Sequence, residues 1–233
     1  MKTGFWNKRI IDLKRMIDLK TDTLHGLRLH TARSRMPLRV RKCIFNGSYE
    51  AFEAEIVQTH LKPSDRVLEV GTGIGLISML ITRLTGPGQV LSYEANPMME
   101  DAIRANFALN GLEPNLRMEA VTADGRSVTF YRDRKIVGSS IFDRGIAAEQ
   151  ITVPSRPIAE AMDEHRPNVL VMDVEGAETE ILPAADLRGV DRIIVELHPH
   201  IVGDGPIKTL LKTLADRGFR VKKQDADTYL LTR

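Results

Sequence analysis

Two hydrophobic periods alternate along this chain, and their alternation predicts its fold class. Short, nearly unbroken apolar runs, Val67-Leu68-Glu69-Val70, Val90-Leu91-Ser92-Tyr93, Val169-Leu170-Val171-Met172 and the run over residues 192–196, read as strands buried on both faces. Between them the period lengthens to that of a helix, with Ile77, Leu80, Ile81 and Leu84 on one face before the stop signals at Gly86-Pro87-Gly88. Further helices are predicted from the cap at Asn96-Pro97 to Asn110-Gly111 and over residues 158–164, 179–187 and 207–217. Residues 116–121 and 128–131 read as additional strands, and 219–223 with 228–231 as a hairpin around Asp225-Ala226-Asp227. The alternation predicts an α/β fold, a doubly wound and mostly parallel sheet closed at one edge by a C-terminal antiparallel hairpin.

The first 44 residues follow a different pattern. Trp6, Ile10, Leu13 and Ile17 form one apolar stripe with charged residues around it, so residues 1–44 read as an amphipathic helix plus extension and 45–233 as the main domain. The stripe is expected to pack on its own domain or on a second copy in a homodimer; a membrane-surface or substrate-lid role is the alternative. Arg33, Arg35, Arg39, Arg41 and Lys42 are expected on a solvated strand edge or loop, with an anionic substrate as the other use for them. A helix is predicted to start near Ser48 and to turn Ala54, Val57 and Leu61 inward. Residues 133–150 keep no sustained period and are the expected substrate-contacting loop or lid.

Composition narrows the partners. A net charge of +2 over 233 residues is too balanced to announce nucleic acid, and the length suits one α/β domain. Cys43 stands alone, which excludes an internal disulfide framework and fits a reducing compartment. Residues 1–20 interleave charge with apolar pairs, unlike a secretory leader, and no run approaches a membrane span; the expected location is the cytoplasm, without stable membrane insertion.

The chemistry begins where the first buried strand ends. Glu69-Val70-Gly71-Thr72-Gly73-Ile74-Gly75 reads as a strand entering a tight turn that opens a helix, and glycines there let a nucleotide-like ligand lie against the main chain. The second strand ends at Glu94, where a carboxylate can accept from both ribose hydroxyls of an adenosine. A dinucleotide fingerprint requires glycine where this chain has Leu76, so the motif favours S-adenosylmethionine over nicotinamide or flavin. Glu69, Gly71, Thr72, Gly73, Gly75 and Glu94 are the candidate cofactor residues, with Glu69 placed near the amino group. Asp124, before Gly125, is a further candidate at the adenine or else a turn residue. A glycine-rich turn that binds no ligand is the bland alternative.

Asp173 ends the third buried run and should enter the same crevice, while Glu196, His198 and His200 follow the fourth. Asp173-Val174-Glu175-Gly176-Ala177-Glu178, the downstream Val195-Glu196-Leu197-His198-Pro199 and the upstream Gly47-Ser48-Tyr49-Glu50 resemble the FkbM-type S-adenosylmethionine-dependent methyltransferases over roughly residues 45–200. The resemblance implies a Rossmann-like class I methyltransferase fold and methyl transfer to a hydroxyl of a sugar, polyketide-type product or other small metabolite. The family often has Asp followed by Gly-Ala-Asn-x-Gly in its first motif, whereas this chain has Glu69 and then Gly71-Thr72-Gly73-Ile74-Gly75.

An alcohol acceptor needs a group to receive its proton, and Asp173 and His198 are the catalytic candidates. Each has a plainer reading, Asp173 as a helix cap with Glu178 facing solvent, and His198 as a satisfied loop residue. No metal is called for; Asp173 with His198 and His200 holding a divalent cation is the variant reading. A non-catalytic binding module of the same fold, or an oxidoreductase using a nucleotide cofactor, is the alternative function.

Overall fold

The computed structural model describes residues 3–132 and 149–233. Of the expected lid, residues 133–148 lie outside the described residues. In chain order the elements are α1 (Thr3–Met16), β1 (Thr21–Leu24), β2 (Leu27–His30), α2 (Leu38–Asn46), α3 (Ala51–His60), β3 (Val67–Val70), α4 (Leu76–Thr85), β4 (Val90–Tyr93) and α5 (Glu100–Leu109). There follow β5 (Leu116–Arg117), β6 (Ala120–Thr122), β7 (Val128–Arg132), β8 (Glu149–Val153), β9 (Ser155–Pro157), α6 (Ile158–His165), β10 (Val169–Met172) and α7 (Glu178–Ala184). The chain ends with β11 (Arg192–Glu196), α8 (Pro199–Val202), α9 (Asp204–Asp216), β12 (Arg220–Asp225) and β13 (Thr228–Thr232).

The main sheet runs β12-β13-β11-β10-β3-β4-β5, parallel from β11 to β5 and antiparallel at the hairpin β12/β13. The expected doubly wound sheet with an antiparallel C-terminal edge is therefore the observed architecture. Strand geometry divides each buried run between two cores, because successive side chains leave opposite faces of the sheet. Val67, Val169 and Val171 join α3, α4 and α5 residues such as Ile56, Ile77, Ile103 and Phe107 on one face. Leu68, Val70, Leu170 and Met172 meet Ile158, Met162, Ile181, Leu182, Leu210 and Leu214 on the other.

Register places the functional edge. Val70 pairs with both Tyr93 and Met172, and Met172 with Val195, so the four central strands end level with one another. The next residues, Gly71, Glu94, Asp173 and Glu196, consequently emerge side by side at the carboxyl edge, where ligands of open α/β sheets bind.

Several local expectations change. Residues 38–46 form a helix, and Arg41 is buried within it, its Nε donating to the Thr31 carbonyl at 2.6 Å and its guanidinium meeting Asp18 at 3.0 Å. The expected solvated strand edge was misread because a basic run hides one residue that anchors the extension. The hairpin β1/β2 adds Leu24, Leu27 and Leu29 to the core containing α4 and α5, so this part of the extension packs as domain core. Helix α3 starts at Ala51 rather than near Ser48, because Glu50 takes a left-handed conformation with φ 47°. Strand 116–121 is divided: β5 pairs with β4, whereas β6 pairs with β9.

Of the N-terminal stripe, Ile10, Leu13 and Ile17 are exposed, together with Met16 and Leu38. Among the described residues no helix is long and apolar enough to cross a membrane.

Opposite the functional edge, a buried ion pair ties the domain together. Arg192 forks onto Asp65 at 2.9 and 2.7 Å, and Asp65 also accepts from Lys62 N and the Asn168 amide. Burial raises the Asp65 carboxyl and these partners outweigh it, so its pKa lies below the ordinary value. A group whose folded pKa is depressed contributes stability above its unfolded pKa and loses it as pH falls through the folded one. Asp65→Asn is expected to cost about 3 kcal/mol at neutral pH, as a buried cation left without its partner does. Urea unfolding should show the gap between variant and parent narrowing below the ordinary carboxylate range; an equal gap at both pH values would remove Asp65 ionisation as its source.

Candidate active site

The carboxyl edge opens into a cavity of about 410 Å³, within the range of about 300–1,000 Å³ usual for small-molecule sites. Its wall includes Glu50, Gly71, Gly73, Glu94, Asn96, Met99, Arg126, Asp173 and Glu175. Two of its glycines are required for different reasons. A Cβ on Gly71, which has φ +89°, would stand 1.8 Å from the Asp173 carbonyl oxygen, so this position lets two strand ends close together. A Cβ on Gly73 would meet only the Glu50 carboxylate and the Tyr49 hydroxyl at 3.6 Å, so this glycine keeps the cavity floor bare.

Glu94 fixes that floor. Its Oε2 accepts from Thr72 N at 3.1 Å and Gly73 N at 2.9 Å, and its Oε1 from Asn96 N at 2.8 Å. Burial pushes its pKa up while those three N–H groups hold it down. One carboxylate thus orders the turn and faces the space above it.

Glu69, Thr72 and Gly75 support the turn from behind and are not part of the cavity wall. Glu69 is 1% exposed and accepts from Ser78 Oγ at 2.6 Å and Thr72 Oγ1 at 3.1 Å. The expectation that it reaches the cofactor amino group is therefore corrected: its lone pairs are committed to hydroxyls inside the fold. Gly75 caps α4 in a left-handed conformation, and a Cβ there would press on Phe107 at 3.2 Å. Asp124 is also placed away from the cavity, exposed and paired with Arg126, which reaches across to Glu180. It serves the turn rather than an adenine.

Glu50 carries the role that its sequence position obscured. Its Oε2 is buried without a hydrogen-bond partner among the described residues, and it lies on the cavity wall. Burial drives its pKa well up, the Tyr49 hydroxyl donating against that trend and Glu53 and Asp173 adding to it. The available signal was the Gly47-Ser48-Tyr49-Glu50 run, although a helix-start reading absorbed it.

Asp173 lies on the wall as expected, but the plainer reading of its segment fails. Ala177, not Asp173, occupies the cap position of α7, and Glu178 is fully buried. Glu178 Oε1 accepts from Val174 N at 3.1 Å and Gly176 N at 3.2 Å, and it contacts His198 Nδ1 at 2.9 Å. His198 Nε2 then faces Asp173 Oδ1 at 3.6 Å and Glu196 Oε1 at 4.0 Å. Recession of Asp173 beside Glu196 pushes its carboxyl well up, with His198 opposing. Burial works against a charge on His198, yet Glu178, Asp173 and Glu175 outweigh it and raise the pKa to about 9. The expected role of His198 as a base is corrected accordingly: it stands behind Asp173, outside the cavity wall, already protonated at neutral pH.

Comparison with known proteins agrees with this layout. The chain is 24% identical over 201 residues to the methyltransferase sdnD of Sordaria araneosa, covering 69% of this chain and 76% of that one. It is 36% identical over 56 residues to a ribosomal protein L11 methyltransferase of Symbiobacterium thermophilum, covering 24% of this chain. The chain spans about a fifth of the length of the L11 methyltransferases that it matches (18% and 21%). Among solved structures, an FkbM methyltransferase from Methylobacillus flagellatus aligns with a TM-score of 0.47 at 13% identity, over 86% of this chain and 56% of that one. The sequence model of the FkbM methyltransferase domain matches residues 69–221, a stretch that begins at Glu69 before the glycine turn and contains Asp173 and His198, and the chain belongs to that family.

Proposed function

We propose that this protein is an S-adenosylmethionine-dependent O-methyltransferase whose acceptor is a hydroxyl on a sugar, polyketide-type product or other small metabolite. The observation that carries the cofactor reading is the pairing, across a bare glycine floor, of an orphaned buried carboxylate oxygen on Glu50 with the ordered carboxylate of Glu94. A buried carboxylate oxygen without a donor is costly, and an ammonium group is the donor it suits. Glu94 has acceptor capacity left for a ribose diol, and Gly71 and Gly73 leave the main chain open to the ligand. These four residues would hold S-adenosylmethionine, which supplies a methyl group on a positively charged sulfur leaving group.

The chain's own task is then positioning. An in-line displacement requires the acceptor oxygen to be held at near-attack distance and collinear with the bond that breaks. Asp173 is the wall residue suited to receive the acceptor's hydroxyl hydrogen bond, because its raised pKa makes it a better proton acceptor than an ordinary aspartate. His198 and Glu178 act through it, fixing where the carboxylate stands. Support for the acceptor class comes from family membership and from this polar wall beside an apolar floor of Val70, Met99 and Val121.

Isothermal titration of S-adenosylmethionine into the protein should give one saturable site, with Glu50→Gln weakening it about tenfold through loss of one charged hydrogen bond. A competition arm with NADH decides the cofactor class. Binding of NADH and not of S-adenosylmethionine would overturn the reading. With a panel of hydroxylated metabolites, release of S-adenosylhomocysteine identifies the acceptor.

A further inference from the structure

Beside the cavity, the ends of β10 and β11 bring three different metal-binding groups together. One donor atom each from Asp173, Glu196 and His198 lies within 4.8 Å of the others. The arrangement around His198 is ordered from behind: Glu178 meets Nδ1 at 2.9 Å, which directs Nε2 toward the two carboxylates. A carboxylate behind a histidine whose other nitrogen faces outward is the usual support of a metal-ligating imidazole.

The spacing argues against a plain ion cluster. The His198 side chain is 6% exposed, yet Nε2 stops 3.6 Å from Asp173 and 4.0 Å from Glu196, beyond hydrogen-bond reach of both. On its other side the same ring closes to 2.9 Å on Glu178. Metal–ligand bonds of about 2.0–2.3 Å set two donors on one cation up to roughly 4.5 Å apart, which is the separation found here. The charge also fits, since Glu175, Glu178 and Glu196 all act on Asp173 with His198 as the opposing cation.

We propose that Asp173, Glu196 and His198 form a divalent-cation site at the edge of the cavity, open toward the acceptor. Two carboxylates and one imidazole suit Mn²⁺ or Zn²⁺ better than an all-oxygen cation such as Ca²⁺. The bound cation takes the place of the Nε2 proton and offers its open positions to a hydroxyl or vicinal diol, in line with Asp173. This inference extends the methyl-transfer reading but does not require it, because the site is complete without a cofactor.

The test is titration of Mn²⁺, and separately Zn²⁺, into the cofactor-free protein, with free Mn²⁺ read by electron paramagnetic resonance. One site per chain is expected, with Asp173→Asn and Glu196→Gln each weakening it at least about tenfold. Glu196 is 41% exposed in its side chain, so Glu196→Gln keeps the fold, which thermal unfolding checks. No saturable binding of either ion below about 1 mM, or equal binding in both variants, overturns the proposal. S-adenosylmethionine affinity measured on the same preparations reports separately on the cofactor reading.

Discussion

Gly71→Ala is expected to yield a protein that does not reach the native fold. The added methyl carbon would stand 1.8 Å from the Asp173 carbonyl oxygen, a main-chain atom that cannot rotate away. Relief would require the ends of β3 and β10 to separate, although Asp173 N donates to Val70 O at 2.9 Å in that contact. The left-handed conformation at φ +89° adds a further cost of about 1–2 kcal/mol for any residue with a side chain. The total should exceed about 4 kcal/mol, a large share of an ordinary domain's stability. Soluble yield and thermal unfolding provide the measurement.

Gly73→Ala supplies the contrast within the same turn. Its methyl would meet Glu50 and Tyr49 at an ordinary 3.6 Å, so backbone strain of about 1 kcal/mol remains, which lowers the melting temperature by about 2–4 °C. Cofactor affinity should fall much more than stability, because the methyl occupies the cavity floor. Native-like folding of Gly71→Ala, or unfolding of Gly73→Ala, would reverse the assignment of the two glycines.

The second large effect is expected at Glu94. Glu94→Gln keeps the shape and removes the charge, leaving one amide oxygen where two carboxylate oxygens accept from Thr72, Gly73 and Asn96. Loss of charged hydrogen bonds to a ribose, together with a loosened turn, should cost about 3 kcal/mol of S-adenosylmethionine binding, or roughly 100-fold in affinity. Calorimetry measures this directly. An affinity within twofold of the parent in a folded variant would show that the carboxylate serves only the turn.

Much of this architecture was legible in the sequence because it depends on short-range rules. Apolar runs such as 67–70, 90–93 and 169–172 have the length and continuity of doubly buried strands, and the helix between two of them carries its own period and stop signals. Once four such strands are taken as parallel neighbours, the residues after each must meet at one edge, which is why Gly71, Gly73, Glu94 and Asp173 were identified together. The D-V-E-G-A-E run pointed to the family for a related reason: the backbone N–H groups of Val174 and Gly176 require an acceptor at a fixed spacing, and Glu178 supplies it.

Direction of side chains across the fold was decided only by tertiary structure. Glu69 and Glu94 both sit at strand ends, yet Ser78 and Thr72 draw one inward while main-chain N–H groups hold the other at the cavity. His198 read as a base because an isolated histidine titrates near neutrality; packing against Glu178 and Asp173 shifts it to about 9, a shift set by partners 20 and 25 positions earlier in the chain. Arg41 shows the same limit, since only Asp18 and the Thr31 carbonyl turn one member of a basic run into a buried anchor. Local pattern determines which elements form and which of their ends meet. Which face a polar group presents, and in which charge state, is fixed by the donors and charges that folding brings to it from elsewhere.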